Sequence, residues 1–145
     1  MTSNHDLTAE DRLAILDLMA RYSWAYDDGN AEAYAAVFTP DGILADEFSI
    51  LGTGRDEIKQ ALKLFIDQRG SDLWRHYNDQ HLFEVGPDRV RIRSYWMVVS
   101  TNISGESHVL GQGRYVTEVQ RLHGEWLIAR RTFSVDRKRV QAHQK

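Results

Sequence analysis

The chain has no cysteine among its 145 residues, which excludes a disulfide framework, a thiolate metal site and a thiol nucleophile, and makes a reducing compartment the natural expectation. It has only two prolines, Pro40 and Pro87, and no low-complexity run, so nothing in it reads as a linker between domains. No apolar stretch approaches the roughly 20 residues of a membrane span. The opening MTSNHDLTAEDR lacks the basic region and apolar run of a signal peptide, so a cytoplasmic location is expected. There is no basic excess either: 18 Lys and Arg stand against 21 Asp and Glu, a net charge of -3, which argues against nucleic acid as a partner, as the apolar pattern argues against a membrane. Glycine fingerprints are incomplete. Gly52-Thr53-Gly54 precedes a helix pattern, but Glu57 occupies the place of a third glycine, and neither a Walker lysine nor a G-x-S-x-G elbow follows.

What is present is a globular composition, 42% hydrophobic and 27% charged, consistent with one domain over residues 1–145. Thr8, with Asp11 three residues on, marks a helix start. Two apolar rows follow, Leu13-Leu16-Ala20-Trp24 and Ile15-Met19-Tyr22-Tyr26, which together predict a long helix with a wide buried face. Gly29-Asn30 punctuates it, Asn30 caps a second helix over 31–38, and Pro40 and Gly42 stop that one. A short extended piece covers 42–51. GTGRDEIKQALKLFIDQRG supplies a third helix with Ile58, Leu62, Phe65 and Ile66 inward, closed by Gly70. The period then changes. LWRHYNDQHLFEV, DRVRIRSYWMVVS, HVLGQGRYVTEVQRL and EWLIARRTFSVD read as four antiparallel strands joined at GPD, SGES and HG. Three helices followed by such strands are an α+β layout, in which one side of a curling sheet becomes a pocket. The basic end, from Arg130 to Lys145, reads as a solvated terminus.

Two polar residues stand out from this apolar frame. Asp27 follows Tyr22 by five positions, about 140° around a helix, so both can border one cavity at the helix end, while Asp28 turns a further 100° or so towards water. His76 shares a strand face with Trp74, Asn78 and Gln80, a mixed face suited to a lined pocket. By strict alternation His76 and His81 point to opposite faces, so no metal site is expected from the pair. On pattern alone, a local cap at Asp27 and a satisfied sheet histidine explain these residues as well as a paired function does.

LTAEDRLAILDLMARYSWAYDDGNAEAYAAVFTPDGIL resembles the opening of SnoaL-like proteins of the NTF2-like superfamily. The resemblance continues through GRDEIKQAL, RHYNDQHLFEV and GRYVTEVQRLHGEWLIARR. It implies a cone-shaped α+β roll, a curved, mostly antiparallel sheet wrapped against three N-terminal helices around an internal pocket. The site pattern is most similar to the dehydratase and dehydrochlorinase branch, in which a helix-end aspartate bonds a strand histidine that removes a proton. Carried over by position, the aspartate falls on Asp27, the histidine on His76, a tyrosine on Tyr22 and an arginine on Arg131. Gln80 stands where an asparagine is often seen, and His108 is the candidate for the second histidine of scytalone dehydratase.

The resemblance implies a cofactor-independent lyase in which the Asp27–His76 dyad takes a proton from a small, mostly hydrophobic cyclic molecule. Tyr22, Tyr95 and Tyr115 would donate to an oxygen and Arg131 to an anionic group, with Phe38, Trp74, Trp96 and Leu110 as apolar wall. An isomerase or polyketide-cyclase-like enzyme shares the first step, and a non-catalytic binding or subunit module is the alternative from another class. The large side chains in RSYWMVV would cover an outer sheet face, so a homodimer or larger assembly is expected.

Overall fold

The computed structural model describes residues 6–137; the basic end expected to be solvated lies, from residue 138, outside them. The first helix, α1 (Ala9–Asp28), begins as its sequence requires. The Thr8 hydroxyl accepts from the Asp11 amide at 3.0 Å, and the Asp11 carboxylate accepts from the Thr8 amide at 3.2 Å. That reciprocal pair satisfies two N–H groups that would otherwise have no partner. Gly29 ends the helix in the left-handed region, φ 67°, which only glycine adopts without strain. The Asn30 side chain accepts from Ala33 N at 3.1 Å and starts α2 (Ala31–Ala36). The third helix, α3, spans Arg55–Arg69.

The sheet has six strands rather than four. The piece expected to be short and extended is a hairpin of β1 (Phe38–Asp46) and β2 (Ile50–Thr53), joined to the four long strands β3 (Leu73–Val85), β4 (Val90–Thr101), β5 (Ser107–Leu122) and β6 (Glu125–Val135). Their order across the sheet is β2-β1-β6-β5-β4-β3. The β1–β6 pairing is parallel and the other neighbours are antiparallel. The second helix ends at Ala36 rather than at residue 38, and Pro40 and Gly42 lie inside β1, where the β1–β6 register slips between Phe38 and Ile43, so the missing proline N–H costs no ladder bond. His123 and Gly124, both at positive φ, close the last hairpin, as a two-residue turn demands.

Ile15, Leu18, Met19 and Tyr22 of α1 pack with Tyr34, Phe38, Leu44, Ile58, Leu62, Ile92 and Ile128 into one core. The Leu13-Leu16-Ala20-Trp24 row of α1 does not join it. Leu13 and Trp24 are 67% and 71% exposed. β3 is the last strand of the sheet, so the sheet runs under one side of α1 only and the other row borders an open groove.

Candidate active site

Asp27 lies in the last turn of α1, and two elements fix it. From α3, Arg69 Nη1 donates to the Asp27 carbonyl at 2.8 Å. From β3, the backbone N–H of His76 donates to the Asp27 carboxylate, 3.0 Å to Oδ2 and 3.2 Å to Oδ1. β3 is an edge strand, and this N–H faces away from β4, so the carboxylate supplies the partner a seventh strand would have given. Oδ1 also lies 2.6 Å from His76 Nδ1. A carboxylate can only accept, so Nδ1 carries a proton, and in the neutral ring the lone pair is on Nε2. That nitrogen has no protein partner among the described residues. The Tyr26 ring, 4.1 Å from the imidazole between centroids, braces its face. Asp28 is exposed, as its helical angle predicts.

His76 and Trp74 border two spaces. The smaller is a cavity of about 250 Å³, whose wall includes Tyr22, Trp96, Leu110 and Tyr115 as well as those two. Tyr26 and Phe65, stacked at 5.7 Å with 2° between ring planes, complete its helical side. The Trp96 indole donates to the Ser134 carbonyl at 3.0 Å and lies flat over β5 because Gly113 faces it. A Cβ at Gly113 would come within 3.0 Å of the indole nitrogen and 1.9 Å of Ser134 O. The Tyr22 hydroxyl accepts from Tyr34 at 2.8 Å. Burial raises the Tyr22 pKa, opposed first by the Arg131 charge and then by bonds from its neighbours, so the phenol is neutral and a donor.

Four of the expected residues lie elsewhere. Phe38 is fully buried behind Tyr22 and Tyr34, its ring 6.1 Å from that of Tyr22, and lines neither space. Tyr95 points outward because Trp96, its neighbour on β4, points in; it lies 5.9 Å from the guanidinium of Arg114 on the outer face. His108 is exposed near the start of β5. Arg131 is fully buried, with its guanidinium 4.2 Å from the Tyr22 ring and 3.7 Å from the Tyr115 ring. Its Nε donates to Thr117 Oγ1 at 2.9 Å and its Nη2 to Asn78 Oδ1 at 3.1 Å. It lines neither space, so it touches the cavity only through the two tyrosines. No carboxylate among the described residues pairs with it.

Strict alternation fails along β3. Gln80 takes φ 58° and the register slips between Asp79 and Leu82, so a bulge inserts one residue and turns His81 to the side of His76. Gln80, expected inward, is exposed. Both histidines therefore line the second space, an open groove of about 610 Å³ between α1 and β3 whose walls include Leu16, Ser23, Trp24 and Asp27. Sequence reading missed Arg69, Tyr34, Ser23 and His81. Only Tyr34 carried a signal, as a bulky residue one turn into a short capped helix.

Comparison with known proteins follows the geometry. The family model described as SnoaL-like domain matches residues 7–132. No curated protein matches the chain. A Nostoc punctiforme protein of unknown function with a cystatin-like fold is 27% identical, with 90% of this chain and 95% of that one covered and a TM-score of 0.79. A Catenulispora acidiphila protein solved in complex with S-DNPA is 26% identical over 89% of this chain and 96% of its own, TM-score 0.80. An NTF2-like protein with a cystatin-like fold from Novosphingobium aromaticivorans, 24% identical over 87% and 82%, TM-score 0.74, shares the fold.

Proposed function

Because the chain belongs to the family of SnoaL-like domains, we propose that it is a cofactor-independent enzyme of the lyase type, dehydratase-like, acting on a small, mostly hydrophobic cyclic molecule. The observation that carries this reading is the 2.6 Å bond between Asp27 and His76 Nδ1 on the wall of an aromatic cavity. A carboxylate on one imidazole nitrogen fixes the tautomer and stabilises the imidazolium formed when the other nitrogen takes a proton. A base so placed is worth about 10²–10⁴-fold. The remainder comes from positioning in the cavity and from the Tyr22 hydroxyl, which donates to the oxygen on which negative charge develops. With Tyr34 donating to it, Tyr22 gives a stronger bond than an isolated phenol.

In an elimination the proton goes to His76 Nε2, the electron pair forms the new double bond, and the leaving group departs from the adjacent carbon, as halide or, taking the proton from the His76 imidazolium, as water. Isomerisation or cyclisation would share the first transfer, and the Tyr22 donor suits an enolate in either. The same reading pairs two copies through the outer sheet face, where Tyr77 and Tyr95 are about half exposed.

The test is a screen of small cyclic alcohols, ketones and halides for elimination products. With an active substrate, Asp27→Asn lowers kcat about 10²–10⁴-fold with KM little changed, since the amide keeps the volume and loses the charge. His76→Gln abolishes turnover. Wild-type kcat in His76→Gln contradicts the dyad.

A further inference from the structure

The groove between α1 and β3 is larger than the cavity, and the polar atoms on its walls without a protein partner among the described residues include two that lie near Asn78. Ser23 is 7% exposed, and its hydroxyl, buried, bonds to nothing among the described residues. A buried hydroxyl in that state is a standing cost that a partner in the groove would remove.

The second atom is His81 Nδ1. The Asn78 amide nitrogen donates to Ser94 Oγ at 2.9 Å and to the Tyr95 carbonyl at 2.8 Å, so its oxygen faces the other way and accepts from Arg131 at 3.1 Å. That oxygen lies 3.3 Å from His81 Nε2 and can only accept, so Nε2 carries the proton. Burial, then the Arg131 charge, lower the His81 pKa against the opposing pull of Asp79. The ring is therefore neutral, and Nδ1 is a lone-pair acceptor without a donor.

These atoms share one stretch of the groove. α1 and β3 run antiparallel, pinned where Asp27 meets His76 and where Arg12 sits 5.0 Å over the Phe83 ring. Ser23, one turn before Asp27, falls level with Asn78, and His81 leans back onto Asn78 from beyond the bulge. Leu16, Trp24 and Leu73 give the rest of the wall an apolar surface. The groove carries two carboxylates, Asp27 and Asp28, against one cation, Arg75, and a lone pair at His81, a balance that does not favour an anion.

The geometry points to the groove as a second subsite that binds a neutral, hydroxyl-bearing end of the substrate, with His81 Nδ1 accepting the hydroxyl proton and Ser23 Oγ supplying a second polar contact. The inference rests on the catalytic reading above and extends it. His76 and Trp74 wall both spaces, so a hydroxylated end held in the groove lies against the same histidine that borders the cavity. The ligand chemistry that fits the groove is a neutral hydroxyl donor carried on an apolar body.

The test compares 2-naphthol with 2-methoxynaphthalene, which share a ring system and differ in the donor, by calorimetry at neutral pH. Wild-type protein should bind the naphthol about tenfold more tightly, the effect of one well-made hydrogen bond. His81→Leu should erase that preference, while His81→Gln, which offers a donor to Asn78 and an acceptor to the ligand, should keep it. In nitrogen-15 spectra of the wild type, the His81 Nδ1 resonance should shift with naphthol and stay put with the ether, a readout that needs no variant. No preference in the wild type, a full preference in His81→Leu, an unmoved His81 resonance, or no saturable binding of either compound at millimolar concentration overturns the subsite. Proton transfer that depends on His76 with no naphthol preference overturns the subsite alone. A naphthol preference with transfer indifferent to His76→Gln overturns the catalytic reading alone.

Discussion

At the scale of single residues, Tyr22 is asked to do most. It closes the core, borders the cavity, accepts a hydrogen bond from Tyr34 and, in the proposed function, donates its own to the ligand. These roles separate by substitution. Tyr22→Phe keeps the ring and leaves the buried Tyr34 hydroxyl without an acceptor, so it should cost about 1–3 kcal/mol in stability. Adding Tyr34→Phe removes the stranded group, and the double variant should recover most of that loss. Neither should recover turnover. Urea unfolding of the three proteins measures the first effect, and kcat on any active substrate measures the second. A double variant no more stable than Tyr22→Phe would mean that the hydroxyl pair is not what the single change disturbs. Arg131 shows the limit of reading one residue at a time. A position-by-position resemblance puts it near the ligand, yet its full burial and its place behind two tyrosine rings make its effect indirect.

At the scale of elements, the helices were legible because their ends are written locally. The Thr8 and Asn30 caps, Gly29 and Gly70 each stand where the chemistry of a helix terminus needs them. The four long strands and the His123-Gly124 turn were legible for the same reason. What escaped was non-local. The β1–β2 hairpin forms because β6 offers β1 a parallel partner, which no pattern near Pro40 announces. The bulge at Gln80 has no glycine to mark it, so period-two reasoning put His81 on the wrong side. The outer row of α1 was assigned to the core because amphipathic pattern says how wide an apolar face is, but not whether an edge strand will cover it. Of the site, Asp27, His76 and Tyr22 came from the sequence with the resemblance, and the groove did not. Gly113 offers a test of the element that shapes the cavity. Gly113→Ala would press its methyl group into the Ser134 carbonyl and the Trp96 indole, and should destabilise by about 1–3 kcal/mol through forced separation of β5 and β6. Thermal unfolding unchanged by that substitution would show that the two strands have slack.

At the scale of the whole molecule, the sheet is mixed and unclosed, with helices on one side and apolar side chains on the other. Tyr77 on β3 and Tyr95 on β4 stand about half exposed on that outer face, more apolar surface than a lone sheet gains by showing to water. Light scattering at micromolar concentration should therefore report about twice the 16.8 kDa chain mass, and Tyr95→Glu should return it to one chain. A 16.8 kDa species for the unaltered protein would contradict the pairing. The central claim concerns the proton, and lyase, isomerase and cyclase chemistry share its removal. The most direct measurement is deuterium uptake from D₂O into the carbon next to the carbonyl of bound cyclic ketones, followed by mass spectrometry without any need for net turnover. The unaltered protein should accelerate uptake into at least one ketone that fits a cavity of about 250 Å³, and His76→Gln should exchange at the rate of buffer. Exchange by His76→Gln as fast as by the unaltered protein, or none by the unaltered protein across the panel, would contradict the account.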